Sequence, residues 1–283
     1  MPQTSKFLRH ESCPECGSSD ALAIYDNGGQ HCFGSGCDYH VFGNGEVPMT
    51  TQELPKAKPL NMGGVVAAIP QRRLSQETCS RFGVTVEYSS TGEIQKHFYP
   101  YYDLESGEVC AAKVREVKTK GFYATGDMSG AGFFGQQQCK SNKYITITEG
   151  ELDALSVYEM FNKQYDVVSL RSGASNAAKE IKEQLEWLES YENIVLCFDN
   201  DKAGDAAVEQ VKDLFSPNKL KIVKLPVKDA SDMLMANRVK DFTQFWWNAK
   251  VYRPDGIVAG TDTWDTLVEK RQVKSIPYPW EGL

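Results

Sequence analysis

The chain has 283 residues, 41% hydrophobic and 24% charged, the make-up of an ordinary globular protein long enough for about two domains. A disordered or fibrous chain is excluded, no apolar run approaches the ~20 residues of a membrane span, and Met1-Pro2-Gln3-Thr4-Ser5-Lys6 lacks the apolar core of a secretory signal. The net charge of −7 excludes a basic coat but is uneven: residues 56–140 carry 11 Lys+Arg against 8 Asp+Glu, whereas residues 141–283 carry 18 against 23.

Eight cysteines are present, and four of them fall close together as Cys13-x2-Cys16-x15-Cys32-x4-Cys37. Two close pairs separated by a loop wrap a tetrahedral cation with four thiolates, the zinc-ribbon pattern. A disulfide scaffold would be denser in cysteine. Pro14 and Gly17 shape the first knuckle, and Gly34 and Gly36 let the second turn tightly. Four thiolates close the coordination shell, so the expected Zn²⁺ is structural, with no open position for catalysis. His31 and His40 flank the thiolates and read as surface residues. Residues 1–45 are too few for a hydrophobic core, so the metal supplies the folding energy. Residues 46–64 hold Pro48, Pro55, Pro59, Gly63 and Gly64 among polar residues and read as a linker.

Residues 65–140 are mixed α+β. A short capped helix is expected over 75–82, and strands over 96–102 and 109–115 joined by the turn Glu105-Ser106-Gly107-Glu108. From 141 the pattern alternates: strands over 144–148, 167–170, 194–198 and 221–225, helices over 151–163, 176–191 and 202–215. Such alternation implies a parallel sheet covered by helices. The expected fold class is therefore α/β: a β zinc ribbon over 1–45, a linker over 46–64, an α+β subdomain over 65–140 and a parallel-sheet subdomain over 141–251. Residues 261–274 read as an amphipathic helix with Trp264, Leu267, Val268 and Arg271 on one face. Such a helix either packs back on its own domain or docks on a neighbouring domain or chain.

Ligands of an open parallel sheet bind outside the C-terminal ends of its strands. Here the first strand runs into Glu149-Gly150-Glu151, the third into Asp199-Asn200-Asp201, and the fourth is followed by Asp229 and Asp232. The second ends in Arg171-Ser172-Gly173-Ala174-Ser175, a small-residue turn able to cradle an anion. A single acid after a strand reads as a helix cap. Several on one edge repel one another unless a cation joins them. Oxygen ligands without His or Cys suit Mg²⁺ or Mn²⁺, ions that commonly handle phosphate. Glu149, Asp199, Asp201 and Asp229 form the expected cluster; caps and solvated helix faces account equally well for Glu151, Asp153 and Asp232.

Glu149-Gly150-Glu151-Leu152-Asp153, Phe198-Asp199-Asn200-Asp201-Lys202-Ala203-Gly204 and Lys228-Asp229-Ala230 resemble the Toprim signature, a glutamate after the first strand and Asp-x-Asp after the third. That family includes primases of the bacterial DnaG type, topoisomerases, and some nucleases and recombination proteins. With the cysteine ribbon in front, the whole order resembles the primase half of T-seven-type phage primase–helicases. Thr148-Glu149-Gly150-Glu151, Val168-Ser169-Leu170, Gly173-Ala174-Ser175, Lys113-Val114-Arg115 and Trp247-Asn248-Ala249 carry this resemblance, and Pro254-Asp255-Gly256 resembles the passage into the interdomain linker. It covers nearly all of the chain and stops where a hexameric helicase would begin; no Walker phosphate loop is present. The x4 second cysteine knuckle departs from the commoner x2 spacing.

The resemblance implies a DNA-dependent RNA primase working on single-stranded DNA in the cytoplasm of an infected bacterial host. Asp199 and Asp201 would hold Mg²⁺ or Mn²⁺, with Asp229 contributing directly or through water, and Glu149 would act as general base or metal organiser. Lys113, Arg115, Lys118 and Lys120 would form a basic ridge for nucleotide and template, with Arg171 and Lys228 flanking the acids. Taken alone the run reads as a solvated strand edge; beside the acidic site it reads as the ridge. His97, Tyr99, Tyr101 and Phe122 offer rings for base stacking, against core packing as the usual fate of aromatics. The implied partners are ribonucleoside triphosphates, the DNA template, a replicative helicase (fused or separate, reached through residues 252–283) and a replicative DNA polymerase. Two alternatives stand beside this reading: a Toprim-type nuclease on the same metals, and a non-catalytic DNA-binding front end of a helicase.

Overall fold

The computed structural model describes residues 5–33, 37, 39–41, 43, 59–140, 142–254, 260, 263, 264 and 268. Gly34, Gly36, most of the expected linker, Asp255, Gly256 and most of the expected helix over 261–274 lie outside the described residues. The chain divides into two units, Met1–Lys56 and Ala57–Leu283.

The first unit is an antiparallel meander of β1 (Phe7–Glu11), β2 (Leu22–Tyr25), β3 (Gln30–Cys32) and β4 (His40–Val41), paired in chain order. The β2–β3 turn follows from Asn27-Gly28-Gly29. Gly28 takes φ +79°, a left-handed backbone that glycine adopts freely, and the Asn27 side chain accepts from the Gly29 amide at 3.0 Å. The buried core of this unit is Cys13, Leu22, Ile24 and Cys32.

The second unit opens with α1 (Gln76–Arg81), whose start is set by Ser75: its Oγ accepts from the Thr78 amide at 3.2 Å. An antiparallel sheet follows in the order β5 (Thr85–Tyr88), β6 (Ile94–Tyr102), β7 (Val109–Glu116), β8 (Phe122–Gly126). The central pair matches the expected strands; β5 is too short for its alternation to stand out, and β8 exposes Phe122, Tyr123 and Ala124 and shows no alternating pattern. Residues expected in the linker are fastened to this sheet: the Gly63 carbonyl accepts from Thr85 Oγ1 at 2.6 Å, and the Asn61 amide donates to Thr125 Oγ1 at 3.2 Å.

The second sheet has the order β10-β9-β11-β12, all parallel, built from β9 (Tyr144–Thr148), β10 (Asp166–Ser169), β11 (Asn193–Cys197) and β12 (Leu220–Ile222). Its helices are α2 (Glu151–Met160), α3 (Ala177–Glu183), α4 (Leu185–Glu189), α5 (Lys202–Val211), α6 (Ala230–Met235) and α7 (Val239–Trp247). The helix expected over 176–191 is broken into α3 and α4. Gln184 leaves helical geometry at φ −113°, ψ 14°, and its side chain accepts from Gln136 Nε2 at 3.0 Å. Helices α6 and α7 were not anticipated.

The two sheets of this unit share a core. Val86, Tyr99, Tyr101 and Phe134 from the first region pack in one cluster with Leu155, Val167 and Trp246 from the second. Backbone pairing of Phe134 with Ser169 and the bond from Trp246 Nε1 to Thr146 Oγ1 at 3.0 Å pin the layers. No described helix is long and apolar enough to cross a membrane.

Candidate active site

Strands β9 and β11 are neighbours, with Thr148 paired to Cys197, so their chains leave the sheet side by side at its C-terminal edge. Glu149 leaves from one and Asp199 from the other. The Asp199 amide donates to Glu149 Oε1 at 3.0 Å. Asp201 caps α5: its Oδ1 accepts from the amides of Ala203 at 2.9 Å and Gly204 at 3.0 Å. A Cβ at Gly204 would overlap the Asp199 carbonyl oxygen and stand 2.7 Å from Glu149 Oε1, so only glycine lets α5 start this close to the acids. After β12 the chain returns to the same edge, where Asp229 caps α6 through Oδ1 to the Asp232 amide at 2.7 Å. Two bonds tie this loop to the Asp199 loop, Asn200 N to the Lys228 carbonyl at 2.6 Å and Asn200 Nδ2 to the Leu225 carbonyl at 3.1 Å. Asp153, one helical turn beyond Glu149, joins the group by accepting from the Ser231 amide at 3.0 Å.

The charges interact strongly. Burial, and then the Asp199 charge, push Glu149 up to about 7. Burial and then Asp229 raise Asp153 well above the usual carboxylate range. Burial raises Asp199 as well, against the pull of Lys228. Lys228 Nζ lies 2.8 Å from Asp199 Oδ2 and 3.8 Å from Asp229 Oδ2, and its hydrogen bond to Asp199 raises its own pKa. The donor set is oxygen only, and an ammonium already sits between two of its carboxylates. Both observations fit a site that takes Mg²⁺ or Mn²⁺.

Other expected residues go elsewhere. Glu151 turns away from the cluster: it is 3% exposed, accepts from Tyr101 Oη at 2.6 Å and pairs with Lys113 Nζ at 2.5 Å. Lys113 also donates to the Arg171 carbonyl at 3.1 Å. The basic ridge divides between two cavities. Lys113 and Arg171 line one of about 700 Å³ with Phe122, Ser172 and Lys179. Arg115 and Lys120 line another of about 290 Å³ with Arg72 and His97. Lys118 is exposed in the β7–β8 turn. The small-residue turn is already filled: Glu180 accepts from the amides of Arg171 at 2.6 Å and Ser172 at 2.9 Å, and Glu183 pairs with the Arg171 guanidinium. Tyr99 and Tyr101 are fully buried and His97 nearly so, which leaves them no face for a base. Phe122 is half exposed, with Arg115 and Lys113 at 5.2 Å and 5.5 Å from its ring.

Two participants were underweighted by the sequence. The available signal for Asp153 was its place as an acid in the first turn of the helix that follows the first strand end. Arg72, within reach of Ser231 Oγ at 3.4 Å, is announced only by the Arg72-Arg73 pair ahead of α1.

In the first unit the four cysteine sulfurs lie within 4.8 Å of one another. Cys13 and Cys37 are 3.7 Å apart, as are Cys16 and Cys32. A tetrahedron with metal–sulfur bonds of about 2.3 Å has edges of about 3.8 Å, so the four thiols fit one tetrahedral ion. His31 stacks edge-on against Phe33 at 4.5 Å and stands outside the sulfur group.

A Toprim-like family matches residues 146–234, the stretch that carries every acid of the site. The chain is 30% identical to the primase fragment of the bacteriophage T7 primase-helicase protein, covering 86% of this chain and 100% of that one with a TM-score of 0.62. The chain belongs to the phage primase family. T7 primase domains of this family, in a structure with lagging-strand DNA polymerase, an RNA/DNA hybrid and dTTP, are 34% identical over 66% of this chain and 93% of theirs, with a TM-score of 0.60. A DNA helicase/primase of Enterobacteria phage T3 is 33% identical over 94% of this chain; the chain spans 48% of that relative's length.

Proposed function

We propose that this chain is the primase part of a phage replication protein, making short RNA primers from ribonucleoside triphosphates on single-stranded DNA. The observation that carries the reading is the strand-end set of Glu149, Asp199, Asp201 and Asp229, with one ammonium between Asp199 and Asp229, in a chain that matches the whole T7 primase fragment. Asp199, Asp201 and Asp229 hold Mg²⁺ or Mn²⁺, and Asp153 lies beside them. The bound ion neutralises the triphosphate and the phosphoryl group in transfer. Glu149, held at the strand end by the Asp199 amide, would accept the proton of the attacking 3′-hydroxyl or organise the ion. Lys113, Arg115, Lys118, Lys120 and Lys228 supply cations for triphosphate and template. Arg171, held by Glu180 and Glu183, acts by shaping the wall beside Lys113.

In the first unit Cys13, Cys16, Cys32 and Cys37 hold Zn²⁺, and residues 1–45 select the template site. That division suits the chemistry, since a polymerising site accepts any base and a tethered reader chooses where to start. Residues 141–251 are the catalytic part and 65–140 carry the cations. A replicative helicase, fused beyond residue 283 or separate, and a replicative DNA polymerase are the partners, in the cytoplasm of the bacterial host. The T3 relative's name joins helicase to primase, and the T7 structure joins primase domains to a polymerase.

The test is incubation with single-stranded DNA, Mg²⁺ and labelled ribonucleotides. The wild type should give short RNA, and Asp199→Ala should reduce its yield by at least ~100-fold, the scale of losing one transition-state contact. Shortened DNA without RNA would make the protein a nuclease instead.

A further inference from the structure

We propose that Lys228 is a resident counter-cation that a divalent metal displaces from the acids, and that the displaced ammonium then engages the triphosphate. This rests on the acids being a metal site. Among the described residues Lys228 is the only ion-pair partner of Asp199 and Asp229. Its ammonium occupies particular oxygens. Asp229 Oδ1 is committed to the Asp232 amide, so Oδ2 is the oxygen left for a ligand, and Lys228 lies 3.8 Å from it. Asp201 Oδ1 is committed in the same way to the first amides of α5. On Asp199 the ammonium hydrogen-bonds to Oδ2 at 2.8 Å. A divalent ion at these acids would therefore compete with Lys228 for Asp199 Oδ2 and meet its charge beside Asp229 Oδ2.

The geometry also provides for its departure. The Lys228 side chain is 57% exposed, so its ammonium leaves without opening the core. The backbone stays: the Lys228 carbonyl is anchored by the Asn200 amide at 2.6 Å, and the loop by Asn200 Nδ2 at 3.1 Å from the Leu225 carbonyl. The ammonium thus swings from a fixed pivot at the rim of the site. Metal alone competes with it, whereas metal arriving with a triphosphate gives it a new partner. Metal and nucleotide then bind cooperatively, each raising the affinity of the other.

The experiment measures Mn²⁺ binding by electron paramagnetic resonance, with the cysteine site filled with Zn²⁺, with and without ATP. Lys228→Met should bind Mn²⁺ about tenfold more tightly than wild type without ATP, the scale of removing one nearby charge at a partly exposed site. The same variant should bind ATP more weakly and lose most of the mutual enhancement. Lys228→Arg should keep the enhancement. Lys224→Met is the control, because Lys224 pairs with Asp205 rather than with the acids of the site. A merely structural lysine cannot move the two affinities in opposite directions. Equal or weaker Mn²⁺ binding by Lys228→Met, with wild-type binding abolished by Asp199→Ala, overturns this inference alone. Wild-type Mn²⁺ binding that Asp199→Ala leaves unchanged removes the metal site and this inference together.

Discussion

His97 shows how burial sets the chemistry of one residue. It is 3% exposed on β6, its Nδ1 lies 3.0 Å from Tyr99 Oη, and Arg115 faces it across the strand pair. Burial first, then the charges of Arg115 and Arg72, lower its pKa to about 4 from the ordinary 6.5. The unfolded chain binds a proton near pH 6.5, whereas the folded chain refuses it until about pH 4. Stability from His97 is therefore complete above pH 6.5 and is lost as pH falls through that window. Between pH 7.5 and pH 5 the loss is about 2 kcal/mol. The carboxylates of the acid cluster titrate with the opposite sign, so the useful quantity is a difference. Denaturant titrations should show wild type losing about 2 kcal/mol more than His97→Gln over that range. Equal losses would mean that His97 is protonated within the fold. The sequence left this histidine between base stacking and core packing. Alternation alone could not show that both faces of β6 are covered, since the second cover comes from residues distant in the chain.

Elements were legible where their signals are local. Ser75 announces the start of α1, and the strand–helix alternation after residue 141 announces the parallel sheet. What holds α1 in place was not legible, because it comes from α2. Glu159 Oε2 accepts from the Ser75 amide at 3.2 Å, from Ser75 Oγ at 2.9 Å and from Thr78 Oγ1. Thr78 is fully buried, so losing this acceptor leaves its hydroxyl only the longer contact with Ser75 Oγ at 3.2 Å. Glu159→Ala should cost about 1–3 kcal/mol in denaturant midpoint, while Glu159→Gln should recover part of it. Mn²⁺ affinity at the acid cluster should not change in either variant. A neutral Glu159→Ala would mean that Ser75 caps α1 unaided. The strands β5 and β8 escaped for a related reason. They are too short for a period-two signal, and pairing with β6 and β7 makes them strands.

At the scale of the molecule, the sequence separated ribbon from core because the two use different folding forces. The acids were legible because a parallel sheet delivers strand ends to one edge. Which acid faces the cluster was not: Glu149 and Glu151 are two residues apart, and only the partners Tyr101 and Lys113, distant in the chain, show that Glu151 points away. The same contrast in forces gives the last prediction. The first unit buries Cys13, Leu22, Ile24 and Cys32, and two of these four are metal-site cysteines. So small an apolar core does not offset the entropy of ordering the strands. The second unit buries two large clusters, one around Phe134 and Trp246 and one around Ile147 and Leu196. A zinc-selective chelator, with Mg²⁺ kept in excess, should therefore separate them. Hydrogen exchange should show protection vanishing over β2 and β3 and persisting over β9 and β11. Cys16→Ser should reproduce the ribbon's loss without chelator, and its core should melt at the wild-type temperature. Protected ribbon strands after zinc removal would mean that the meander holds itself, and the thiol cluster would then need a role other than folding.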